Sequence, residues 1–291
     1  MASLSTENFN ACLKRTVARI RECTDVDLRT FLNMLGMSAL RYSEIIMQRQ
    51  EFSIQELRSL ADALDIDLDL IFRDKVDYVA LARHFRGDRS VFPEHYSEQS
   101  HLFGRAKAAQ VIYSHLASYH GESFGRAYFR RFQLHPEAFS NPTDFVSPMI
   151  ASDLVKGLAK EGYREEHIRS IGTMTYATCP PPLRRKLAAM KDTKTLYLYL
   201  YEELVGIQYD RMSDYKIVRL SDRGCTSIVR TREEAQEAFK RKVIDNRESC
   251  LYRQGAMSSF SAHTGPSFST VRETSCIHRG DEVCTLEFRW N

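Results

Sequence analysis

The stretch that decides the N-terminal fold is residues 35–72, LGMSALRYSEIIMQRQEFSIQELRSLADALDIDLDLIF. Gly36 stands between two segments of apolar periodicity, and Ser38 follows it as a candidate cap for the next helix. A glycine that ends one helix shortly before a serine that begins another is typical of a helix–turn–helix. Ser53 and Glu56 then have the spacing of a capping box, which predicts a further amphipathic helix.

Length and composition describe an ordinary globular chain. Its 291 residues predict two domains, and an apolar content of 43% with a charged content of 27% is typical of proteins with a packed core. The net charge of +3 is small for this length and does not indicate a nucleic-acid coat protein. Seven cysteines, odd in number and mostly scattered, predict reduced thiols in a cytosol. With neither a secretory signal nor an apolar stretch long enough for a membrane span, we expect a cytoplasmic protein.

The helical pattern over residues 8–74 resembles the Xre/Cro-repressor family of DNA-binding helical domains. The resemblance implies an all-α domain over residues 1–75, with residues 39–50 as a recognition helix placed in a DNA major groove. It also implies a homodimer, because members of this family read half-sites as dimers. The candidate DNA-binding residues are Ser38, Arg41, Gln48 and Arg49, with Ser38 and Arg41 nearest the edge of the groove.

Other features of the same domain favour a different use. Residues 1–75 carry ten basic and twelve acidic side chains, whereas binding to phosphates requires a positive face. The base-facing end offers Ala39, Leu40 and Arg41, and Gln48 stands where the family commonly has glycine. The alternative is a degenerate helix–turn–helix that mediates dimerisation or protein contacts, which would make the protein a signalling adaptor. Both interpretations remain open at the level of the sequence.

The rest of the chain predicts a second domain of mixed structure. Residues 76–95, with Pro93 in a segment unsuited to a regular helix, are expected to be a linker. Residues 96–291 begin with helical periodicity, which changes to a period of two near residue 214 and predicts a hairpin of residues 215–220 and 225–230. The predicted fold class is α+β: an all-α helix–turn–helix domain, then an α+β domain with a small antiparallel sheet.

Residues 273–288, ETSCIHRGDEVCTLEF, form the second informative stretch. They contain E-x-x-C, a short Gly-Asp turn, another cysteine and an alternating strand. This pattern resembles the closing hairpin of the vinyl-reductase-like and haem-NO-binding-like sensor superfamily. The resemblance implies an α+β domain with an interior pocket that senses small molecules, often apolar ones, and passes the signal to an attached effector. Relatives among the phenol-responsive activators bind zinc through a glutamate and cysteines around this hairpin.

A zinc site is one use of these residues. Cys276 and Cys284 flank a turn, so a hairpin can bring their sulfur atoms together. Glu273, with Cys250 or Glu248, would supply the remaining ligands of a tetrahedral zinc ion. Alternatively, the cysteines pack in the hairpin core as small apolar side chains, or they carry redox chemistry.

Neither haem binding nor catalysis finds support in the sequence. The Tyr-x-Ser-x-Arg motif of haem-NO sensors is absent, and surface or core positions explain His101, His115, His120 and His135. There is no glycine-rich phosphate loop and no HExxH motif, and Cys179 has no identifiable base partner. We therefore expect a regulator and not an enzyme. Ligand binding in the C-terminal domain would favour one of two packings and reposition paired helix–turn–helix modules on DNA.

Overall fold

The computed structural model describes residues 6–47, 49–85, 92–242, 244–266 and 268–290. The chain divides into two compact units. The N-terminal unit comprises Met1–His95 with Arg126–Ala138, and the C-terminal unit comprises Tyr96–Gly125 with Phe139–Asn291. The first is helical and the second combines helices with antiparallel sheets, so the predicted α+β class is confirmed. Among the described residues, no helix combines the length and apolarity needed to cross a membrane.

Short helices around one apolar core make up most of the N-terminal unit. They are α1 (Thr6–Thr24), α2 (Leu28–Leu35), α3 (Ala39–Ile46), α4 (Ile54–Leu64), α5 (Leu68–Phe72) and α6 (Tyr78–Phe85). Phe31, Leu35, Ile45, Leu57 and Leu60 are each no more than 1% exposed. Because these residues recur at helical spacing, burying one stripe of each helix is enough to build the core.

Local chemistry explains the turn between α2 and α3. Gly36 ends α2 in the left-handed conformation, with a φ of 65°, and its N–H donates to the carbonyl of Asn33. Ser38 caps α3 by accepting a hydrogen bond from the N–H of Arg41 at 3.2 Å. The predicted capping box of Ser53 and Glu56 is present at the start of α4. However, α3 ends at Ile46, so it is shorter than the helix expected over residues 39–50.

Two segments differ from the expected organisation. The predicted linker, residues 76–95, contains α6, which packs on α1. Residues 126–138, expected within the sensor domain, belong to the N-terminal unit. In that unit His135 Nδ1 lies 3.0 Å from a carboxylate oxygen of Asp65, and the Gln133 amide donates to the carbonyl of Lys75 at 2.7 Å. These partners lie some sixty to seventy residues apart in the chain, so local sequence patterns do not reveal them.

From residue 94 onward the helices alternate with short strands and turns. The α-helices are α7 (Glu94–Ser97), α8 (Ala106–His120), α9 (Glu122–Arg130), α10 (Pro148–Lys160), α11 (Glu165–Ala177), α12 (Pro181–Ala188), α13 (Thr193–Tyr199), α14 (Glu233–Phe239) and α15 (Arg247–Ser259). A π-helix, Leu200–Tyr209, directly continues α13. The 3₁₀ turns are Gln99–His101, Pro136–Phe139, Phe260–His263 and Ile277–Arg279.

The main sheet of the C-terminal unit has four antiparallel strands in the order β3–β4–β6–β5. The strands are β1 (Gly104–Arg105), β2 (Phe145–Val146), β3 (Ser213–Ser221), β4 (Gly224–Thr231), β5 (Thr270–Ser275) and β6 (Cys284–Arg289); β1 pairs with β2. The predicted hairpin is formed by β3 and β4, and the expected closing strands are β5 and β6. Cys284, Leu286 and Phe288 alternate along β6 and are all buried, which places one face of the sheet on the core.

Helices α11 and α15 cross with their backbones in direct contact. A Cβ atom built on Gly172 would lie 2.1 Å from the carbonyl oxygen of Tyr252, and one on Gly255 would lie 1.9 Å from that of Arg169. No other residue leaves room for such an approach, so glycine is required at both positions. This crossing fixes α15, the helix that contributes to both sites described next.

Candidate functional site

The hairpin of β5 and β6 meets the first turns of α15 at a cluster of buried side chains. Potential metal-ligating atoms of Cys250, Glu273, Cys276 and Cys284 all lie within 4.8 Å of one another. The three sulfur atoms are 3.8, 3.9 and 4.0 Å apart. The cysteines are at most 4% exposed, and the Glu273 side chain is also 4% exposed. The structure therefore brings together the predicted ligand residues, with Cys250 and not Glu248 as the fourth member.

The dimensions of this cluster suit a tetrahedral metal ion. Zinc–sulfur bonds of about 2.3 Å place the sulfurs of a tetrahedral site about 3.8 Å apart. Glu273 adds a second observation, because its Oε1 atom is buried and has no hydrogen-bond partner among the described residues. Packing of the cysteines as small apolar side chains does not explain a buried carboxylate oxygen without a donor. The three thiols and the carboxylate together form a donor set that zinc accepts.

Local structure explains how the hairpin positions two of these thiols. Cys276 follows β5, and Cys284 begins β6. Between them the chain turns through Ile277–Arg279 and Gly280, whose φ of 93° favours glycine. The N–H of Cys276 donates to the Asp281 carboxylate at 2.6 Å, which fixes the turn.

Two arginines compensate the negative charge of the cluster. Arg247 donates to the Glu273 carboxylate, and its Nη1 lies 3.6 Å from the sulfur of Cys276. The positive charge of Arg253 is the second, because it favours the thiolate forms of Cys250 and Cys284. Three thiolates and a carboxylate around a divalent cation would leave excess negative charge, so cations in the surrounding shell favour metal binding.

The three thiols differ in their readiness to ionise. The hydrogen bond with Cys250 lowers the pKa of Cys284 to about 6, helped by the N–H of Ile277. The same hydrogen bond, together with burial, raises the pKa of Cys250, and burial raises the pKa of Cys276. Without a cation, Cys284 is therefore the first of the three to become a thiolate, because the other thiols can donate to it.

A cavity of about 170 Å³ lies in the same unit. Its wall is largely apolar, with residues such as Ala109, Val111, Ile150, Val155, Val205, Met212, Met257 and Phe260. The charged side chains in the wall are Arg105, Lys107, Asp210, Asp245 and Arg253. A mainly apolar cavity with a few polar groups is the usual form of a small-molecule site. Val205 lies in the π-helix, so this helix contributes to the wall.

The cavity and the cysteine cluster share one structural element. Ser249 and Arg253 of α15 line the cavity, whereas Cys250 of the same helix belongs to the cluster. Asp245, also in the cavity wall, accepts from Arg253 at 2.9 Å and lies 3.0 Å from Nε2 of His278 in the hairpin turn. Burial raises the pKa of Asp245, but the His278 hydrogen bond and the Arg253 charge outweigh burial and hold it below its usual range. Asp245 is therefore an ionised link between the two sites.

The predicted DNA-binding residues of the N-terminal unit have different environments. Ser38 is the cap of α3 and is exposed. Arg41 is held within the unit: its Nε donates to Glu56 at 3.0 Å, and its Nη2 donates to the carbonyl of Glu51 at 2.6 Å. Arg49 is exposed. Gln48 lies outside the described residues. Binding of DNA by these residues stays a prediction, but the Arg41 guanidinium already serves to join α3 to the start of α4.

The exposed face around α3 is more apolar than a DNA-reading surface requires. Leu40 is 73% exposed, Met47 62% and Ile46 51%, and Ile54 at the start of α4 is 71% exposed. Base readout uses hydrogen-bonding side chains, whereas these four exposed side chains are apolar. This observation bears on the choice between DNA and protein as the partner of the unit.

The histidines named from the sequence do not line the cavity. His115 is 5% exposed and stacks on Tyr119, and burial lowers its pKa to about 4. His120 is exposed and is hydrogen-bonded to the Tyr163 hydroxyl at 2.7 Å. His101 stacks on a phenylalanine, and His135 pairs with Asp65 as described above. No histidine is among the described residues of the cavity wall, so the cavity offers no imidazole to a haem iron.

Residues 121–125, GESFG, match the Gly-x-Ser-x-Gly pattern of hydrolase nucleophiles. That motif requires a strand before the serine and a helix after it. Here α8 precedes the segment, and Ser123 lies exposed in α9. The structural context of a nucleophile elbow is therefore missing.

Comparison with known proteins identifies no family. No protein-family model matches the chain, and no curated protein matches it. Among solved structures, an H-NOX protein from S. oneidensis in the Fe(II)NO ligation state aligns with a TM-score of 0.48 and 10% identity, over 64% of this chain and 99% of that one. The Fe(II) unliganded H-NOX protein from K. algicida aligns with a TM-score of 0.45 and 12% identity, over 64% of this chain and 97% of that one. Scores and identities this low do not establish a shared family or function.

Proposed function

We propose that this chain is a ligand-responsive regulator whose C-terminal unit is a metal-stabilised small-molecule sensor. The observation that carries the proposal is the convergence of Cys250, Glu273, Cys276 and Cys284 beside an apolar cavity that shares α15 with them. Zinc is the cation that this donor set favours, because thiolates and a carboxylate can satisfy its tetrahedral geometry. A structural ion at this position would tie the β5–β6 hairpin to α15.

The shared helix supplies a route from ligand to hairpin. A molecule in the cavity contacts the wall that contains Arg253 and Asp245. Asp245 is hydrogen-bonded to His278, so a change in its position or charge acts directly on the hairpin turn. A ligand that binds one arrangement of these groups more tightly than another shifts the population toward that arrangement. In this proposal the metal keeps the hairpin ordered, and Asp245 transmits the state of the cavity.

The proposed output is binding of DNA by the helix–turn–helix. Support comes from the three-residue turn between α2 and α3, with Gly36 left-handed and Ser38 as cap, and from the exposed Arg49. Arg41 would act by positioning α3 through Glu56 instead of reading a base. We propose a homodimer that binds paired half-sites, which would make the chain a one-component transcriptional regulator and not an enzyme.

Selection of genomic fragments by the full-length, zinc-loaded protein across a salt series tests this output. An enriched palindromic sequence, retained with an affinity that falls steeply as salt rises, would support it. Arg49→Ala should weaken retention uniformly, whereas Arg73→Ala, which removes an exposed arginine of α5's C-terminal cap, is the matched control. No retention even at low salt would exclude DNA as the partner.

A second candidate function is favoured by the apolar face of the N-terminal unit. The exposed Leu40 and Met47, together with the engaged Arg41, suit contacts with a protein better than contacts with phosphates. The chain would then be a signalling adaptor. If the chain is an adaptor, replacing Leu40 and Met47 with serine would abolish dimer formation or partner binding. If it is a DNA-binding regulator, the same variant would still retain DNA through Arg49.

A further inference from the structure

The wall of the cavity contains a buried lysine. Lys107, in the first turn of α8, is only 6% exposed, and its Nζ donates to the carbonyl of Thr178. Within the described part of the chain, no carboxylate lies within 4.0 Å of this ammonium group. An ammonium has three N–H donors, so the Thr178 carbonyl satisfies one of them. Burial without a counter-ion lowers the pKa of Lys107.

The acidic groups of the cavity wall are already engaged. Asp245 accepts from Arg253 and is hydrogen-bonded to His278. Asp210 accepts from the hydroxyl of Tyr215 at 2.5 Å and from the N–H of Met212 at 2.9 Å. Neither of these two carboxylates is therefore paired with Lys107.

Two helices direct their N-terminal ends to the same cavity. Lys107 and Ala108 belong to the first turn of α8, and Pro148 and Ile150 belong to the first turn of α10; all four line the cavity. The N-terminus of a helix carries partial positive charge, which disfavours a lysine there and favours an anion. The N–H groups of Ala106 and Lys107 already donate to the backbone carbonyls of Asp144 and Pro142, so the Lys107 ammonium is the group that an anion at this end would contact.

Size and polarity limit the rest of the ligand. A cavity of about 150 Å³ is known to accommodate a benzene molecule, and this cavity has a volume of about 170 Å³. The remaining wall is mostly aliphatic, with Val111, Val155 and Met257 as examples. A bare inorganic anion would make no contact with this apolar surface. An uncharged apolar molecule would supply no anionic partner for the Lys107 ammonium.

We propose that the cavity binds a small organic monocarboxylate, with its carboxylate on Lys107 Nζ and an apolar body of benzene size against the aliphatic wall. This inference rests on the proposed function of the C-terminal unit as a small-molecule sensor, and it specifies the ligand class. A charge-assisted hydrogen bond to Lys107 would use a donor that Thr178 leaves free.

Calorimetric titration of the full-length, zinc-loaded protein with benzoate and with benzyl alcohol, its uncharged counterpart, tests the inference. Benzoate should bind, and Lys107→Met should weaken its binding about 10- to 100-fold while benzyl alcohol binding changes little. Lys156→Met, which removes an exposed lysine from α10, should leave both unchanged.

Without ligand, Lys107→Met should also raise the melting temperature, because it removes a buried, uncompensated charge. A lysine that served only to hold the Thr178 carbonyl would give the opposite shift.

The outcomes separate this inference from the proposal on which it rests. Binding of benzyl alcohol without binding of benzoate, or benzoate binding that Lys107→Met leaves unchanged, overturns the monocarboxylate assignment and leaves the sensor proposal standing. If neither benzoate nor benzyl alcohol binds at millimolar concentration, the monocarboxylate assignment and the sensor proposal are both overturned.

Discussion

His278 Nε2 lies 3.0 Å from Oδ1 of Asp245, which joins the turn between β5 and β6 to the wall of the cavity. The ionised carboxylate can only accept, so the imidazole must carry its proton on Nε2. Asp245 also accepts from Arg253. One carboxylate thus holds a residue of the cysteine hairpin and a residue of α15 in fixed positions.

Asp245→Asn should therefore weaken zinc binding without removing a ligand. Loss of a supporting group beside a metal site lowers metal affinity by about 10- to 100-fold, and we expect a change in that range. Competition with a chromophoric chelator measures the affinity. Asp222→Asn serves as the control, because its side chain is 91% exposed and pairs with Lys194. Equal zinc affinity of the Asp245 variant and the wild type would show that the link to His278 does not support the hairpin.

The pairing of Arg41 with Glu56 should be measurable as an interaction free energy. Their side chains are 27% and 14% exposed, and two nitrogens of Arg41 face the two carboxylate oxygens. A double-mutant cycle with Arg41→Ala and Glu56→Ala, followed by urea unfolding, should give a coupling of about 1–2 kcal/mol. The same cycle on Arg73 and Asp69, both more than half exposed, should give a value near zero. Similar values for the two pairs would contradict a positioning role for Arg41.

Gly172→Ala and Gly255→Ala should each destabilise the C-terminal unit severely. An added methyl group would overlap a backbone carbonyl oxygen of the opposite helix, so α11 and α15 would have to separate. We expect a loss of about 3 kcal/mol or more in the free energy of unfolding. Gly125→Ala is the matched control, because its Cβ would lie 3.1 Å from the ring of Tyr113 and 3.6 Å from the backbone nitrogen of Ala117, without overlapping either. Thermal unfolding of the three variants measures the difference. A loss as large in Gly125→Ala as in the other two would show that replacing any helical glycine, and not the contact between α11 and α15, causes the destabilisation.

His115 should make the protein less stable in mild acid. Burial lowers its pKa to about 4 in the folded state, below its ordinary value of 6.5. Between these pH values the unfolded chain binds a proton that the folded chain does not, so stability is lost as the pH falls through this window. The loss attributable to His115 is about 3 kcal/mol at most. Denaturant unfolding from pH 7 to pH 4 should show a flatter pH dependence for His115→Gln than for the wild type, and equal slopes would contradict this account of His115.

Much of the fold follows from local sequence patterns. The Ser53–Glu56 capping box and the period-two segments that became β3 and β4 depend on neighbouring residues, so the sequence predicts them directly. The cysteine cluster is also predictable, because Cys276 and Cys284 flank a tight turn and Glu273 lies in β5, the strand that leads into this turn.

Other features depend on contacts between distant residues. Arg41 looked free to reach DNA, because its partner Glu56 lies in another helix fifteen residues away. The sequence does not distinguish Lys107, because a lone lysine at the start of a helix is usually solvated. The structure shows that it is buried beside the cavity. The π-helix Leu200–Tyr209 has the apolar spacing of an ordinary helix, so its altered hydrogen bonding was not predictable from periodicity.

Cobalt titration of the full-length, metal-free protein tests the central claim most directly. The predicted result is one Co²⁺ ion per chain, with the intense thiolate-to-cobalt absorption of a tetrahedral sulfur-rich site and displacement by zinc. Cys276→Ser should abolish this absorption, whereas Cys12→Ser, outside the cluster, should preserve it. The absence of a thiolate-to-cobalt band, or a band that survives in Cys276→Ser, would contradict a metal centre at Cys250, Glu273, Cys276 and Cys284.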